Sequence, residues 1–239
     1  MKKLKSLTIF FPAYNDEKSI PLLVTKAYQI AQHIASSFEV IVVNDGSTDN
    51  THGVLKKLKL TYSDLKVVNH RKNRGYGGAL ISGFLNSSKE WVFYTDGDGQ
   101  YDPSEITKLI SKVVRHVDVI NGYKLERADN FLRKFIGSTY NLILHKLYDL
   151  PISDVDCDFR LIKRRFLKKF DFVSTSGMFP LELVLKLHLE GARFTEVGVH
   201  HYKRLYGKSK FFSVKHLFKT LIEHIEFYKV YNKMRYENH

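Results

Sequence analysis

Short apolar runs alternate with segments of helical spacing through the first hundred residues of the chain. The apolar runs predict four strands, at Leu7–Phe11, Val40–Val43, Val67–Val68 and Trp91–Tyr94. Apolar residues at helical spacing predict three helices between them, at Ile20–Ser36, Thr51–Leu60 and Ala79–Leu85. Because short apolar strands that alternate with amphipathic helices are typical of a parallel sheet covered on both faces, the sequence predicts an α/β fold.

The second half of the chain has a more helical pattern. Apolar residues recur at helical spacing in Phe131–Tyr148 and in Phe179–Leu189. Near the C-terminus, the apolar residues of Val214–Ile225 share one face of a predicted helix, opposite charged residues. A basic amphipathic helix either packs against the core or lies on a membrane surface, and the sequence leaves both open. We expect one domain at residues 1–212 and a C-terminal amphipathic helix at residues 213–239.

Length and composition are those of a globular protein. The 239 residues are 44% hydrophobic, which suffices for the core of one large α/β domain. The single cysteine, Cys157, excludes an internal disulfide and fits a reducing compartment. The apolar stretch near Met1 lacks a signal-peptide cleavage site, and no apolar run reaches the ~18–20 residues that cross a bilayer. We therefore expect a cytoplasmic protein without membrane spans.

The net charge of +13 predicts a surface that attracts polyanions such as nucleic acid, anionic lipid or phosphorylated substrates. The positive charge is concentrated after residue 120, where a solvated basic face is the alternative. A nucleic-acid-binding module accounts for the charge, but it leaves unexplained the acidic and glycine-rich clusters that follow the predicted strands. We therefore expect no nucleic-acid partner.

A polar cluster follows each of the four predicted strands. Because the carboxyl ends of parallel strands lie at the same edge of a sheet, we expect these clusters to meet where such sheets bind ligands. The clusters are Pro12–Glu17, Asn44–Asp49, Asn73–Ala79 and Asp96–Gln100. Their convergence argues for a binding site more strongly than any one of them does.

The fourth cluster places two carboxylates, Asp96 and Asp98, one residue apart directly after a buried strand. Gly97 between them allows a tight turn close to a ligand. Magnesium is usually held by one or two carboxylates and by substrate phosphates. The pair therefore predicts a divalent-metal clamp for a diphosphate, although aspartate and glycine are also ordinary turn residues.

The second and third clusters each have a functional and a structural interpretation, and the sequence leaves both open. Asp45 either caps a turn or helix, or accepts hydrogen bonds from a nucleobase or a ribose. The glycine-rich stretch Asn73–Gly78 leads into a helix whose free N–H groups would suit phosphate, but an ordinary tight loop has the same composition.

Two further clusters lie in the second half of the chain. Asp154–Arg160 combines three carboxylates with one arginine, either around a catalytic aspartate or as a local ion pair where a strand begins. The basic stretch His200–Lys210 either closes over a diphosphate or is a solvated turn. Its paired histidines have no second ligand cluster, so the sequence does not predict a zinc site.

The ordered set of clusters resembles the family 2 glycosyltransferases with the GT-A fold, a Rossmann-like, mainly parallel sheet flanked by helices. Within that family it is most similar to the polyprenyl-phosphate glycosyltransferases, such as the dolichyl-phosphate mannose synthases. The resemblance extends over about residues 6–212. The matching residues are Pro12–Asn15, Asn44–Ser47, Asn73–Gly75, Asp96–Gln100, Asp158–Arg160, Arg204, Gly207, Ser209 and Lys210.

The resemblance implies roles for particular residues. Asp96 and Asp98 would bind Mg²⁺ or Mn²⁺ on the donor diphosphate. Asp16 and Glu17 are alternatives for the acidic position of the first motif. The catalytic set would be Asp98, Asp156 and Asp158, and the acceptor phosphate would contact Lys124, Arg127 and Arg133. The nucleotide-sugar would contact Pro12, Tyr14, Asp16, Glu17, Asp45, Arg74, Gly75, Asp96, Gln100, Arg204 and Ser209.

The chain departs from the family's pattern at several positions. Asn44 replaces the first of two aspartates often found after the second strand, and Cys157 stands where relatives commonly have serine or glycine. Lys124 stands where an arginine is expected, which removes a bidentate contact. Many relatives also carry C-terminal membrane spans, which this sequence lacks. We therefore expect a peripheral protein on the cytoplasmic face of the membrane, held there by its basic face or its C-terminal helix.

The reaction that the resemblance implies is a metal-dependent, inverting transfer of a hexose from a GDP- or UDP-linked sugar to a polyprenyl phosphate. Such a reaction belongs to the synthesis of cell-envelope glycans. A saccharide or a glycerolipid is an alternative acceptor, and a nucleotide-sugar-binding protein without activity is an alternative of another class. The intact pair of aspartates argues against the last. The sequence leaves open the donor base and sugar, the length of the lipid and the oligomeric state.

Overall fold

A seven-stranded sheet forms the centre of the described part of the chain, in the order β3-β2-β1-β4-β6-β5-β7. The computed structural model describes residues 3–127, 142–168, 170–204, 206 and 214–237. The strands are β1 (Leu4–Ala13), β2 (Ala35–Asn44), β3 (Lys66–Asn69), β4 (Trp91–Thr95), β5 (Val119–Arg127), β6 (Phe159–Lys163) and β7 (Phe194–His201).

Helices cover both faces of the sheet, because successive side chains of the central strands point to opposite faces and both sets are apolar. On β1, Ile9 and Phe11 pack with α1 and α4, while Phe10 packs on the other face with α3 and α7. The helices are α1 (Ile20–Ile34), α2 (Thr51–Thr61), α3 (Gly75–Asn86), α4 (Ile106–Ser111), α5 (142–147), α6 (Arg164–Leu167), α7 (Phe179–Leu189) and α8 (Val214–Glu237), with a 3-10 turn at Pro103–Glu105. The predicted α/β class is confirmed.

Three strands, β5, β6 and β7, are missing from the sequence prediction. They carry polar or charged residues such as Lys124, Arg160 and Glu196, so they lack the continuous apolar runs that reveal β1 to β4. The predicted helix Ile20–Ser36 also ends earlier, at Ile34, because the next residues begin β2.

The direction of β6 determines where the acidic residues meet. Strands β1 to β4 are parallel, and β5 is parallel to β7, but β6 is antiparallel to both β4 and β5. The amino end of β6 therefore lies at the edge where the other strands have their carboxyl ends. Thr95 pairs with Phe159, so Asp96 directly after β4 and Asp158 directly before β6 lie at the same edge.

Among the described side chains of helix α8, Phe227 and Tyr231 pack on the core. Phe227 and Tyr231 are each 2% exposed and lie in an apolar cluster with α7 and Tyr148. Ile222 and Ile225, which belong to the predicted apolar face, are 54% and 53% exposed. The packing interpretation of this helix therefore holds for Phe227 and Tyr231. Over the described residues, we find no helix whose length and apolar character suit a membrane span.

The edge at which the strands begin is held by the buried carboxylate of Glu39. Its oxygens accept hydrogen bonds from Thr8 Oγ1 at 2.6 Å and from the backbone and hydroxyl of Ser88 at 2.6 and 2.9 Å. Lys66 Nζ ion-pairs with it at 2.5 Å. Burial alone would raise the pKa of Glu39, but these donors lower it from 4.5 to about 2.

We expect the free energy of unfolding to decrease as the pH falls from about 4.5 to about 2, in part because of Glu39. Since the pKa in the folded protein is below that of the unfolded chain, the contribution of Glu39 is fully present above the unfolded value and is lost towards the folded value. Urea unfolding of the wild type and Glu39→Gln between pH 6 and pH 3 measures this. The difference between the two proteins should shrink with decreasing pH, and a constant difference would contradict the assignment.

Candidate active site

The ends of β1, β2 and β4 are in direct contact at one edge of the sheet. Asp45 N, just after β2, donates to Ala13 O at the end of β1, at 2.9 Å. A Cβ at Gly97 would lie 2.3 Å from Pro12 O, so only glycine allows the turn after β4 to approach β1 this closely. The structure thus brings together Pro12, Asp45 and the Asp96–Asp98 turn, as the sequence pattern predicts.

Asp96 and Asp158 lie in a buried network of tyrosines and one arginine. Tyr76 Oη donates to Asp96 Oδ1 at 2.7 Å, and Tyr94 Oη donates to Asp158 Oδ1 at 3.2 Å. Burial raises the pKa of Asp96 well above its usual range, and the charges of Asp158 and Asp98 raise it further. Burial also raises the pKa of Asp158 to about 6, against the opposing effect of Arg160. Asp96 therefore lies close to the negative charges of two other aspartates, Asp98 and Asp158.

Arg160 is a buried cation whose charge offsets that of Asp158. Its side chain is fully buried, and it donates from Nη1 to Tyr94 Oη at 2.7 Å and from Nη2 to Val155 O at 3.0 Å. Its Nε donates to Asn121 Oδ1 at 2.5 Å. Arg160 thus links β6 to β4, to β5 and to the loop that carries Asp158.

Arg160→Met is expected to lower the free energy of unfolding by about 3–5 kcal/mol, because it removes the positive charge that offsets buried Asp158 and leaves several buried oxygen acceptors without their donor. Arg165→Met is the matched control. Arg165 ion-pairs with Asp118 at 2.7 Å, but its side chain is 64% exposed, so its loss should cost less than about 1 kcal/mol. Urea unfolding of both variants measures the difference, and equal losses would contradict the role given to Arg160.

Asp98 connects the β4 turn to the loop that follows β7. Its Oδ2 forms an ion pair with Arg204 Nη2, and its Oδ1 accepts a hydrogen bond from Gln100 N at 2.9 Å. Gln100 O accepts from Tyr202 N at 2.8 Å, and Gln100 Nε2 donates to Tyr202 O at 3.1 Å. The described start of the basic loop is therefore held against the acidic turn. Ser209, from the same predicted set, lies outside the described residues.

The donor set of Asp96 and Asp98 fits Mg²⁺ or Mn²⁺. Both side chains offer hard oxygen ligands, and the mutual repulsion of the acidic residues is relieved when a divalent cation lies between them. Over the described ranges, no three or more His, Cys, Asp or Glu side chains are grouped to hold a metal by themselves. A cation here would therefore need further oxygen ligands, such as those of a diphosphate.

The structure gives Asp16 and Glu17 different surroundings. Asp16 Oδ2 accepts a hydrogen bond from Tyr14 N at 2.9 Å. Burial raises the pKa of Asp16 to about 6; the Tyr14 N–H opposes this, and the charge of Asp98 adds to it. Glu17 Oε2 instead accepts a hydrogen bond from Asn50 N at 3.0 Å, at the start of α2. Of the two predicted alternatives, Asp16 is the one whose charge acts on the acidic turn.

Asp45 is held by Arg74 of the third cluster and by His70, which directly follows β3. Its Oδ1 accepts a hydrogen bond from Arg74 N at 2.8 Å and lies 2.6 Å from His70 Nδ1. His70 Nε2 lies 2.8 Å from Ser82 Oγ on α3. Sequence reasoning missed His70, although its position directly after β3 is a strand-end position like that of Asp45.

In the turn that leads into α3, the N–H groups of Gly75 and Gly77 donate hydrogen bonds to other residues of the protein. Gly75 N donates to Asn73 Oδ1 at 3.0 Å, and Gly77 N donates to Thr175 O at 3.2 Å. A Cβ at Gly77 would lie 2.6 Å from Ser174 O, so the glycine permits the 174–175 segment to pack there. The geometry therefore favours the structural interpretation of this stretch, as a tight loop that supports Asp45.

The predicted acceptor residues are only partly described. Lys124 Nζ donates to Asp156 O at 2.7 Å and lies 3.6 Å from Asp154 Oδ1, so it ties down the loop before Asp158. Arg127 pairs with His201 in the β5–β7 ladder. Arg133 lies outside the described residues. A contact of these residues with an acceptor phosphate stays a prediction.

Comparison with known sequences gives one family and a set of similar enzymes. The model of Glycosyl transferase family 2 matches residues 8–171. The undecaprenyl-phosphate 4-deoxy-4-formamido-L-arabinose transferases of Yersinia enterocolitica and Salmonella choleraesuis are 26% and 25% identical over 216 and 210 residues. These alignments include 90% and 87% of this chain, but 65% and 63% of those proteins. The chain thus spans just under two thirds of the length of these relatives.

Solved structures show the same fold. A mannosyltransferase from Pyrobaculum calidifontis in complex with GDP-Man and Mn²⁺ has a TM-score of 0.65 at 20% identity, covering 92% of this chain and 64% of that one. Glucosyl-3-phosphoglycerate synthase from Mycobacterium tuberculosis, with Mn²⁺, UDP and phosphoglyceric acid, also has a TM-score of 0.65, at 16% identity, covering 85% and 72%. The described chain therefore has the GT-A fold.

Proposed function

Since the chain belongs to glycosyl transferase family 2, we propose that it transfers a sugar from a nucleotide diphosphate donor to the phosphate of a polyprenyl phosphate. The observation that carries this proposal is the meeting of Asp45, Asp96, Asp98, Asp158 and Arg204 at one edge of the sheet. Open α/β sheets bind their ligands at this edge. The names of the curated relatives support the choice of acceptor.

The donor would lie across the ends of β1, β2 and β4. Asp45, with Pro12 and Tyr14, would bind the nucleobase and ribose, and Asp96 and Asp98 would hold Mg²⁺ or Mn²⁺ on the diphosphate. When bound, the metal stabilises the negative charge of the departing diphosphate. Arg204, which already contacts Asp98, brings a second positive charge to the same place.

The acceptor needs little activation. A phosphate monoester has a second pKa near ~6, so its oxygen is already largely ionised at neutral pH. A general base is therefore unnecessary, and Asp158 and Asp156 would orient the acceptor or the positively charged sugar of the transition state. We propose a direct displacement with inversion at the sugar carbon.

A lipid acceptor agrees with the exposed apolar side chains of α5 and α8. Exposed apolar side chains occur at Leu142 and Ile143 on α5 and at Ile222 and Ile225 on α8. Such side chains, on a protein with a net charge of +13, suit the surface of an anionic membrane. We propose that these side chains attach the protein peripherally to the cytoplasmic face of the membrane.

An acceptor panel tests the proposal. The purified protein is incubated with Mn²⁺, labelled nucleotide-sugars and one of four acceptors: a short polyprenyl phosphate, the same polyprenol without phosphate, a diacylglycerol, or a monosaccharide. We expect label in the organic phase only with the polyprenyl phosphate, released again by mild acid. Label on the diacylglycerol or the monosaccharide would establish the alternative acceptors and overturn the lipid phosphate.

A further inference from the structure

A segment between α6 and α7 is held by two glutamates from different helices. Glu182 on α7, which is fully buried, accepts hydrogen bonds from Val173 N at 2.9 Å and from Ser174 N at 2.7 Å. Glu223 on α8 accepts hydrogen bonds from Ser176 Oγ at 2.5 Å and from Ser176 N at 3.3 Å. The two carboxylates thus fix both ends of a segment that is neither helix nor strand.

The carbonyl groups of this segment, residues 173–176, contact the first turn of α3. Thr175 O accepts a hydrogen bond from Gly77 N at 3.2 Å. A Cβ at Gly75 would lie 2.4 Å from the same oxygen, so the two backbones are in direct contact there. Because they are in direct contact, a displacement of the segment also displaces the first turn of α3.

Tyr76 lies between these two glycines and connects the first turn of α3 to the acidic turn after β4. Its Oη donates to Asp96 Oδ1 at 2.7 Å. This hydrogen bond fixes the orientation of a carboxylate that, in the proposed function, binds the metal. Hydrogen-bond partners of this kind orient metal ligands, and their loss typically costs about 10–100-fold in metal affinity. The position of Tyr76 therefore matters to the candidate metal site.

We propose that Glu223 is a positioning residue for Asp96, on which it acts through the segment 173–176 and Tyr76. The inference rests on the proposed function, which supplies a divalent cation and a nucleotide diphosphate. Glu223 lies beyond residues 8–171, the region that the family model matches. Helix α8, which carries the exposed side chains proposed to contact the membrane, thus also supports the candidate metal site.

Mn²⁺ titrations of the wild type and Glu223→Ala test this role. The measurement is the equilibrium binding of labelled UDP or GDP, whichever the wild type binds, over a range of Mn²⁺ concentrations. We expect Glu223→Ala to raise the Mn²⁺ concentration for half-maximal binding at least about tenfold, because Asp96 loses its fixed orientation. Glu226→Ala is the matched control, since Glu226 is exposed on the same helix, and it should change that concentration by less than about threefold.

Two further variants and a rate measurement separate positioning from a general loss of structure. Glu223→Gln keeps an oxygen that can accept from Ser176, and it should stay within about threefold of the wild type. Ser176→Ala removes the hydroxyl from the loop side without changing α8, and it should raise the required Mn²⁺ concentration at least about threefold. At saturating Mn²⁺, kcat of Glu223→Ala should return to within about threefold of the wild type, since the reacting groups are unchanged.

A double-mutant cycle with Tyr76→Phe tests the path from Glu223 to Asp96. Tyr76→Phe removes only the hydroxyl that donates to Asp96, and by itself it should raise the required Mn²⁺ concentration at least about tenfold. If Glu223 acts through Tyr76, the double variant exceeds the larger single effect by less than about threefold. Single effects that multiply in the double variant would overturn the inference, because Glu223 would then act independently of Tyr76.

The outcomes separate this inference from the proposed function. An unchanged Mn²⁺ requirement in Glu223→Ala and Ser176→Ala, or an equal change in Glu226→Ala, would overturn the inference and leave the transferase proposal standing. Nucleotide binding by the wild type that is independent of Mn²⁺, or no nucleotide binding at all, would overturn both. A raised Mn²⁺ requirement in Glu223→Ala that Glu223→Gln restores supports the positioning role.

Discussion

Asp98→Ala is expected to abolish turnover, with a fall in kcat of about a thousandfold or more. Asp98 has two tasks in the proposed reaction: it holds the metal on the diphosphate, and it anchors Arg204 of the loop after β7. A metal that stabilises a leaving group contributes several kcal/mol to the barrier, and each 1.36 kcal/mol corresponds to about a factor of ten in rate. The measurement is the rate of sugar transfer at saturating donor and Mn²⁺.

Asp102→Asn is the matched control for Asp98→Ala. Asp102 lies four positions further along the same segment, pairs with Lys26 at 2.8 Å and accepts a hydrogen bond from Ser104 N at 3.0 Å. Its replacement should change kcat by less than about threefold, since the charge there is remote from the diphosphate. Circular dichroism establishes that both variants fold. Near-wild-type turnover of Asp98→Ala would contradict the metal assignment.

Asp158→Asn is expected to lower kcat about a hundredfold while the donor KM changes by less than about threefold. The amide keeps the shape of the side chain and can still accept a hydrogen bond from Tyr94 Oη. What it removes is the negative charge between Arg160 and the acidic turn, which in the proposed mechanism orients the acceptor and the positively charged sugar. Initial rates at varied donor and acceptor concentrations give kcat and both KM values.

The control for Asp158→Asn is Asp149→Asn, because Asp149 is an exposed aspartate before the same loop. It should leave kcat and both KM values unchanged. Thermal unfolding of Asp158→Asn should show at least the stability of the wild type, because a neutral amide relieves the crowding of buried carboxylates. Full turnover of Asp158→Asn would refute a catalytic role for Asp158.

The strands β1 to β4 and their end clusters could be predicted because each strand is a continuous apolar run bounded by turn residues. The motif set also sufficed for the family, which the match over residues 8–171 confirms. The strand β6 could not be predicted in this way. Its central residue Arg160 is charged and fully buried, and only the tertiary contacts with Tyr94 and Asn121 make that burial favourable.

The meeting of Asp96 and Asp158 depends on strand direction, which local sequence does not specify. Asp158 precedes its strand, whereas the other clusters follow theirs, and only the antiparallel pairing of β4 with β6 brings the two together. His70 escaped prediction for a related reason. A lone histidine after a short strand has no local signature, and its role rests on contacts with Asp45 and Ser82.

The most direct test of the account is a parallel transfer assay of the wild type and Asp98→Ala. Both proteins are given labelled UDP- and GDP-sugars and a short polyprenyl phosphate, with Mn²⁺ or with a chelator, and label in the organic phase is counted. The account predicts lipid-linked label from the wild type with metal, and none with the chelator or from Asp98→Ala. Lipid-linked label of equal amount in all of these samples, or none in any, would contradict it.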